Sequence, residues 1–257
     1  MRQFFALVVT LVAASHGVHA RDIPLPKPKP AALAAAPELP SLPYPEADGT
    51  PSPCDLRLAE LADFAPLPAL VGPGECGATG VVQLNAITLR NGSRVPLSPP
   101  ATLRCTMAEA LAHFVRDDMA PAATALGAPL ASIVNYDSYD CRGRNRVAGA
   151  KISEHGKGNA IDIRSVRLGN GKDVELTSTA VAKDFRERIR AAACSRFNTV
   201  LGPGSDGYHE SHIHLDLAER TRGYKMCQWE VREPAVAANV PLPPPRPSVS
   251  ADNQGRK

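Results

Sequence analysis

Aromatic residues, long apolar runs and excess charge are all scarce in this sequence. Only 5% of its 257 residues are aromatic, and the formal net charge is +3. Within residues 54–233, 22 basic residues are balanced by 21 acidic ones, which leaves no basic field to neutralise the phosphates of a nucleic acid. After the N-terminus, no apolar run approaches the roughly 20 residues that a membrane-spanning helix needs. These shortages predict a protein that binds no nucleic acid and does not insert into a membrane.

The N-terminus carries the one long apolar run. Phe4 to Ala14 is apolar over about 11 residues, which is too short for a span, and Val18-His19-Ala20 follows as a small-residue cleavage pattern. Residues 1–20 are therefore predicted to be a secretory signal peptide. No cysteine lies near the cleavage site, so a lipid anchor is not indicated. The predicted location is periplasmic or secreted.

Proline is plentiful but unevenly placed. Sixteen of the 25 prolines lie in residues 21–53 and 234–257. Alternating proline favours an extended polyproline helix, which has no internal hydrogen bonds. We therefore predict a proline-rich linker over residues 21–53, a folded domain over residues 54–233 and a disordered proline-rich tail over residues 234–257. The linker and the tail are each either a spacer that holds the domain away from a surface or partner, or a disordered segment without a binding partner.

No cysteine belongs to a C-x-x-C pair, which argues against a thiolate zinc site or a redox motif. The six cysteines are Cys54, Cys76, Cys105, Cys141, Cys194 and Cys227. An even number in an exported chain predicts disulfides, although six cysteines allow 15 pairings. Two pairs are hypotheses here. Cys54 with Cys76 would close a short segment rich in proline and glycine, and Cys194 with Cys227 would bracket the histidine-rich stretch.

Several short segments have the pattern of β-strands. The strongest signal is Asn91-Gly92, which predicts a hairpin turn between strands at 81–90 and 93–97. Further strands are predicted at 131–136, 160–166, 198–201 and 212–217.

Helices are predicted between these strands. Asp55 is expected to cap a helix that ends at Asp63. Thr106 begins a capping box with Glu109, and Pro121 is expected to kink or end the helix that follows. A further helix is predicted at 179–193. Because the elements do not alternate regularly as βαβ units, the sequence predicts an α+β fold, a single domain with a small antiparallel sheet flanked by helices and braced by disulfides.

Two short segments hold four of the seven histidines. They are residues 153–162, SEHGKGNAID, and residues 209–216, HESHIHLD. Side chains alternate along a strand, so His212, His214 and Asp216 share one face while the apolar residues between them share the other. The same alternation separates Asp162 from its isoleucine neighbours. One apolar and one polar face are therefore expected on each of these strands.

Paired antiparallel strands of this kind would place a carboxylate beside an imidazole, with a second histidine arriving from the glycine-flanked loop at His155. Two histidines and one carboxylate are a catalytic zinc set, because three protein ligands leave a fourth position for water. Zinc in such a site lowers the pKa of that water to about 7. The sequence therefore predicts a zinc site carried by the sheet.

The first histidine segment fits the pattern S-x-H-x-x-G-x-A-x-D at every fixed position: Ser153, His155, Gly158, Ala160 and Asp162. It resembles the zinc D-Ala-D-Ala carboxypeptidases and dipeptidases and the related murein endopeptidases. The resemblance covers about 85 residues, from Ser138 to roughly Arg222, and includes Ser138-Tyr139-Asp140-Cys141-Arg142 and the His212-Ile213-His214 segment. With its proline-rich leader and its cysteines, the whole chain resembles the bacterial extensin-like C-terminal domain proteins.

This resemblance implies a role for each matched residue. His155, Asp162 and His214 would be the zinc ligands. His212 would be the general base or the stabiliser of the transition state, and Arg142 would orient a carbonyl or carboxylate of the substrate. Ser153 would hydrogen-bond near the metal in contact with substrate, and Asp216 or His209 would support a ligand from outside the coordination sphere.

Two residues keep simpler interpretations, and one position departs from the pattern. Arg142 is also explained by a salt bridge, and His209 by a surface or a hydrogen-bonded position. The carboxypeptidases place a glutamate three residues before the last ligand, whereas this chain has Ser211 there and Glu210 one place earlier. That departure puts a catalytic role of Glu210 in doubt.

The resemblance implies an exported zinc metallopeptidase that hydrolyses peptide bonds next to D-amino acids in peptidoglycan stem peptides. Two other functions remain open at this point. The chain would instead be a non-catalytic, zinc-containing module that binds the cell wall, or a structural protein that acts through its proline-rich arms.

Overall fold

The computed structural model describes residues 50–233, which belong to one structural unit. Within this range the α-helices are α1 Pro53–Ala59, α2 Cys105–Phe114, α3 Ala120–Thr124 and α4 Lys183–Arg196. The strands are β1 Ala62–Leu67, β2 Leu70–Val71, β3 Gly77–Ala78, β4 Val81–Thr88, β5 Arg94–Arg104, β6 Leu130–Asp137, β7 Ala160–Leu168, β8 Asp173–Glu175, β9 Thr199–Leu201, β10 Ile213–Asp216 and β11 Met226–Gln228.

Nine of these strands form one sheet, in the order β1-β4-β5-β6-β7-β10-β9-β11, with β8 paired to β7. The predicted α+β class is confirmed, but the sheet is larger than predicted and mixed. Strands β5 and β6 pair in parallel, as do β9 and β11. A parallel pair needs a crossover connection, and the helical segment between β5 and β6 supplies the first one. Strand β11 has only three residues, too few to leave a periodic signal.

The predicted hairpin at Asn91-Gly92 is confirmed. Strands β4 and β5 pair antiparallel on either side of it, from Thr88 opposite Arg94. Gly92 has φ +82°, a left-handed conformation that glycine adopts without steric cost. The other predicted strands are present with ends shifted by one or two residues.

The first helix begins and ends earlier than predicted. Ser52, and not Asp55, is its N-cap, because the Ser52 hydroxyl accepts a hydrogen bond from the Asp55 amide at 3.1 Å. The Asp55 carboxylate accepts one from the Ser52 amide at 2.8 Å, which completes a capping box. Helix α1 ends at Ala59, and Asp63 lies in β1.

The capping box predicted at Thr106 is wrong. Helix α2 begins one residue earlier and has no side-chain cap, because the Glu109 carboxylate binds the Arg57 guanidinium at 2.6 and 2.9 Å instead. Pro121 does not end the helical segment. The chain passes through a π-helical turn at Val115–Met119, and Pro121 then lies in the first turn of α3, where a missing amide hydrogen costs little.

The apolar core lies between the sheet and helices α2 and α4. Leu103, Met107 and Leu111 are fully buried there. Phe114 and Phe197 meet edge to face, with ring centroids 5.5 Å apart. Helix α4 runs from Lys183 to Arg196 rather than over the predicted residues 179–193.

All six cysteines form disulfides, and one of the two hypothetical pairs is confirmed. Cys194 in α4 is bonded to Cys227 in β11. The pair Cys54–Cys76 is wrong. The remaining bonds are Cys54–Cys105 and Cys76–Cys141. Cys54 pairs with Cys105 because helices α1 and α2 pack together, a long-range contact that spacing along the chain does not reveal.

The predicted signal peptide at 1–20, the tail at 234–257 and almost all of the linker at 21–53 lie outside the described residues. Those segments stay predictions. Within residues 50–233, no helix has the length and apolar character needed to cross a membrane.

Candidate metal centre

Strands β7 and β10 place Asp162 and His214 side by side. They pair antiparallel, with His214 directly opposite Asp162 and Ile213 opposite Ile163. Both isoleucines are completely buried on one face of the sheet. Because side chains alternate along each strand, the carboxylate and the imidazole project together from the other face, as predicted.

His155 reaches the same face from a short 3₁₀ turn, Glu154–Lys157. The Ser153 hydroxyl caps this turn by accepting a hydrogen bond from the His155 amide at 3.4 Å. Gly158 ends it with φ +61°. At Gly156 a Cβ atom would lie 3.1 Å from the Cys76 sulfur, so the turn rests closely on a disulfide.

The three predicted ligands meet at one point. His155 Nε2 lies 3.1 Å from His214 Nδ1 and 3.3 Å from Asp162 Oδ1, and His214 Nδ1 lies 2.9 Å from the same oxygen. Tetrahedral zinc with bonds of about 2.0–2.1 Å separates its ligand atoms by about 3.4 Å. These three buried side chains can therefore hold a metal ion.

The hydrogen bonds behind the two histidines fix which ring nitrogen carries hydrogen. His155 Nδ1 lies 2.5 Å from the carbonyl oxygen of Ser138, and His214 Nε2 lies 3.0 Å from Asp216 Oδ2. Carbonyl and carboxylate oxygens only accept, so both outer nitrogens donate. In neutral rings the inner nitrogens would direct lone pairs at Asp162, so a bound metal ion or a proton on one of the rings is needed to stabilise this arrangement.

The ionisation of the site follows from these contacts. Burial would raise the pKa of Asp162, but hydrogen bonds from His155, His212 and His214 hold that pKa well below its usual value. Burial would lower the pKa of His214, yet its bonds to Asp162 and Asp216 outweigh this and raise the pKa to about 9. In the metal-free protein, His214 is therefore protonated and supplies the positive charge that balances the carboxylates around it.

His212 contacts a ligand rather than the centre itself. Its Nε2 lies 3.4 Å from Asp162 Oδ2, the oxygen that does not meet the other two histidines. Its ring stacks on Tyr136 with centroids 4.7 Å apart, and its buried Nδ1 has no hydrogen-bond partner among residues 50–233. His212 is therefore placed to orient the carboxylate.

His209 lies beside the same rings and is buried, so it is not a surface residue, but it is hydrogen-bonded, as the simpler interpretation allowed. Its centroid is 5.1 Å from that of His212 and 5.6 Å from that of His214. Nδ1 binds the Asp206 carboxylate at 2.7 Å. Burial lowers the pKa of His209 despite the opposing effect of Asp206, so the neutral imidazole is favoured near neutral pH. Unlike Asp216, His209 makes no hydrogen bond to a predicted ligand within the described chain.

Arg142 lies at the cleft, but two carboxylates hold it there. Its guanidinium is 2.8 Å from Asp137 and 3.1 Å from Asp140. Ser153 also lines the cleft, where its hydroxyl caps the turn. Glu210 points elsewhere, because its carboxylate accepts from the Gly204 amide and the Arg232 guanidinium.

Two cavities lie against the histidine–aspartate cluster. One has a volume of about 290 Å³ and contacts His155, His214 and Asp216. The other, of about 480 Å³, contacts Asp162 and His212. Both are lined by Arg142, Asn145 and His209, so the cluster lies in a cleft with two compartments.

Three groups that contribute to the site were not predicted from the sequence. Asp206 precedes His209 by three residues, and that spacing is a signal that could have identified it. Tyr136 ends a predicted strand next to Asp137, with nothing local to mark it as the partner of His212. The carbonyl of Ser138 is a backbone group, which has no sequence signature at all.

One protein family matches this chain. The family model described as "Extensin-like protein C-terminus" matches residues 52–228, a range that contains all six cysteines and every candidate site residue. Neither the curated proteins nor the solved structures include a match. The resemblance to the extensin-like proteins is confirmed, while the relationship to zinc peptidases stays a prediction.

Proposed function

This chain belongs to the extensin-like C-terminal family, and we propose that it is an exported zinc metallopeptidase acting on peptide bonds next to D-amino acids in peptidoglycan stem peptides. The observation that carries the proposal is the convergence of His155 Nε2, Asp162 Oδ1 and His214 Nδ1 within 3.3 Å of one another. The residue pattern around them resembles that of the zinc D-Ala-D-Ala peptidases.

The donor set favours zinc over other common metals. Two imidazole nitrogens and one carboxylate oxygen are ligands that zinc accepts in catalytic sites, whereas calcium and magnesium prefer oxygen ligands throughout. Bound at this position, zinc supplies a Lewis acid for a peptide carbonyl and makes a water molecule more acidic. The adjoining cavities give a substrate access to the open side of the cluster.

Two histidines are candidates for moving the proton. His212 takes this role by resemblance, although its Nε2 is directed at Asp162. His209 is a second candidate, because Asp206 holds its Nδ1 and no residue within 50–233 hydrogen-bonds its Nε2, which borders both cavities. A carboxylate that orients an imidazole in this way favours general base catalysis.

The location follows from the chain's own chemistry. Residues 1–20 have the pattern of a secretory signal. Three disulfides persist in an oxidising compartment and not in the cytosol. A periplasmic or secreted protein of this kind has peptidoglycan within reach.

A non-catalytic module that binds the cell wall is the second candidate. Ser211 stands where the carboxypeptidases have their glutamate, and Glu210 is turned away toward Gly204 and Arg232. Such a module would keep the metal and bind the wall without hydrolysing it.

The test uses the full mature chain with its disulfides intact. Zinc is counted by mass spectrometry, and purified muropeptides are incubated with the protein and separated by chromatography. We expect one zinc per chain and release of new amino groups. Both should be lost in His214→Ala and kept in His113→Ala, a control on α2 whose side chain is 44% exposed. Zinc without turnover would favour the binding module, and a chain that never binds metal would refute both.

A further inference from the structure

The two cavities beside the metal centre differ in whether all of their arginines are ion-paired. We call the smaller one the arginine pocket, since Arg144 and Arg220 line it, and the larger one the tyrosine pocket, since Tyr136 and Tyr208 line it. We propose that the arginine pocket binds a free carboxylate of the substrate. This rests on the proposed function and narrows it to peptides with a free C-terminus.

The carboxylates of the arginine pocket are already occupied. Glu154 binds Lys157 at 3.1 Å, Asp206 binds His209 at 2.7 Å, and Asp216 binds His214 at 3.0 Å. Arg142 is likewise neutralised by Asp137 and Asp140. Each of these carboxylates binds a partner other than Arg144 or Arg220.

Arg144 and Arg220 keep their charge. Within residues 50–233 neither has a carboxylate at ion-pair distance. Arg220 donates to the carbonyl oxygen of Asn198 at 3.0 Å and to the hydroxyl of Thr199 at 2.6 Å. Both acceptors are neutral, so they hold the guanidinium in place without cancelling its charge. The side chain of Arg144 makes no such bond in the described chain and is exposed at the rim.

Two uncompensated guanidinium groups in a concave site attract an anion. Guanidinium groups bind carboxylates through paired N–H donors. His155, His214 and Asp216 border the same pocket. A carboxylate held there would lie next to the metal ligands, as the end of a peptide must when the bond before its last residue is cut.

The tyrosine pocket lacks this property. Its cations, Arg142 and Arg146, are both paired, and Arg146 lies 2.6 Å from Asp140. Tyr136 and Tyr208 are 52% and 57% exposed there. A neutral, aromatic wall suits the uncharged body of a peptide rather than its terminus. A bound peptide therefore has one orientation in the cleft, with its carboxyl end in the arginine pocket and the preceding residues in the tyrosine pocket.

The experiment measures binding, so it does not depend on turnover. The full mature chain, loaded with zinc, is titrated by calorimetry with a dipeptide of two D-alanines that has a blocked N-terminus. The probe is used with a free carboxylate and as the C-terminal amide. Charge-assisted hydrogen bonds predict that the acid binds about 10 to 100 times more tightly than the amide.

Three variants assign that preference. Arg144→Gln changes a side chain that makes no hydrogen bond or ion pair in the described structure, so its fold and zinc content should be unchanged while the acid binds about tenfold more weakly. Combining it with Arg220→Gln should make acid and amide equal. Arg90→Gln removes an exposed guanidinium that is paired with Asp117 outside both pockets, and it should preserve the preference.

The outcomes of this experiment separate the proposed carboxylate subsite from the proposed peptidase activity. Equal binding of acid and amide by the unchanged protein, or no binding of either at millimolar concentration, would overturn the proposal. A preference that survives in the zinc-loaded double variant would also overturn it, because the metal itself would then hold the carboxylate. Preference without hydrolysis would keep this subsite and refute the peptidase. Hydrolysis of amidated and free peptides at equal rates would keep the peptidase and refute the subsite.

Discussion

The two faces of strands β7 and β10 are equally buried and chemically opposite. The apolar face consists of four side chains with no exposed surface: Ile161, Ile163, Ile213 and Leu215. On the other face Asp162, His214 and Asp216 are only 3%, 6% and 4% exposed. Burial is therefore not what distinguishes them. The two faces differ in the interactions that make their burial favourable.

The apolar face is stabilised by burial alone, at roughly 25 cal/mol for each Å² removed from water. The polar face must pair every charge, because an isolated buried charge is strongly unfavourable. It does so through a chain of contacts from His155 through Asp162 and His214 to Asp216. One face thus supports the fold, and the other is built around a cation. The predictions below separate these two roles.

The largest effect is expected for Asp162→Asn on the polar face. An uncharged amide is a poor zinc ligand, so zinc affinity should fall on the order of a thousandfold or more. Metal content and competition with a chromophoric chelator measure this. Asp173→Asn, which removes an exposed carboxylate in β8 that is paired with Arg167 in β7, is the control. An Asp162→Asn protein that retains tight zinc would remove Asp162 from the ligand set.

On the apolar face, Ile213→Ala should destabilise the fold without touching the metal. Removing a fully buried isoleucine costs about 2–5 kcal/mol, which urea unfolding with disulfides intact will report. The folded variant should still bind one zinc per chain. Val71→Ala, at a side chain with 71% exposure, should change stability by less than about 0.5 kcal/mol. Loss of zinc from folded Ile213→Ala would contradict the separation of the two faces.

A smaller effect is expected for Asp216→Asn. This carboxylate supports His214 from behind, and loss of such a partner typically weakens metal affinity about 10- to 100-fold. The metal should still bind at saturating concentration, unlike in Asp162→Asn. The ratio of the two dissociation constants measures the difference between a ligand and its support. Equal losses in both variants would mean that Asp216 is itself a ligand.

Counted per pH unit, the smallest effect is a dependence on pH, with opposite signs for the metal-free and the zinc-bound protein. In the metal-free protein the pKa of His214 is raised from 6.5 to about 9. The resulting stabilisation is fully present below the unfolded pKa of about 6.5 and is lost as the pH rises through 9. Zinc requires neutral His214, so its apparent affinity should rise about tenfold per pH unit over the same interval.

Thermal unfolding with and without zinc, across this pH range, measures how each stability changes with pH. Metal-free stability should decline as zinc-dependent stabilisation grows. Calorimetry in buffers of different ionisation enthalpy should detect about one proton released per zinc at pH 7.5. If neither the metal-free stability nor the zinc-dependent stabilisation changed with pH, His214 would not be the residue that exchanges its proton for the metal.

Much of the ligand set was predictable because it depends on alternation. The segment around Asp162 and the one around His214 each place an apolar residue on either side of the polar one, so their polar faces follow from local sequence. Their spacing from His155 carries the resemblance to zinc peptidases. The hairpin at Asn91-Gly92 was predictable for the same reason, since a turn is specified by neighbouring residues.

Features that depend on distant partners were not predictable. Glu109 had the spacing of a capping residue, yet Arg57 lies close enough to bind it. Cys54 pairs across two packed helices rather than with its nearest neighbour, Cys76. A salt bridge was one of the two interpretations of Arg142, and the structure pairs it with Asp137 and Asp140; that Arg144 and Arg220 have no carboxylate at ion-pair distance within residues 50–233 was not predicted.

The sequence by itself determined the α+β class, the antiparallel pairing of the two motif strands and the identity of the three clustered donors, because each is encoded in local periodicity or in a short pattern. Only the tertiary structure decided the cysteine pairing, the hydrogen bonds from His155 to the Ser138 carbonyl and from His214 to Asp216, and which arginines of each pocket are ion-paired. These depend on which side chains meet across long stretches of chain. The free energy of a charge depends on its nearest neighbours in space, and those neighbours are set by packing.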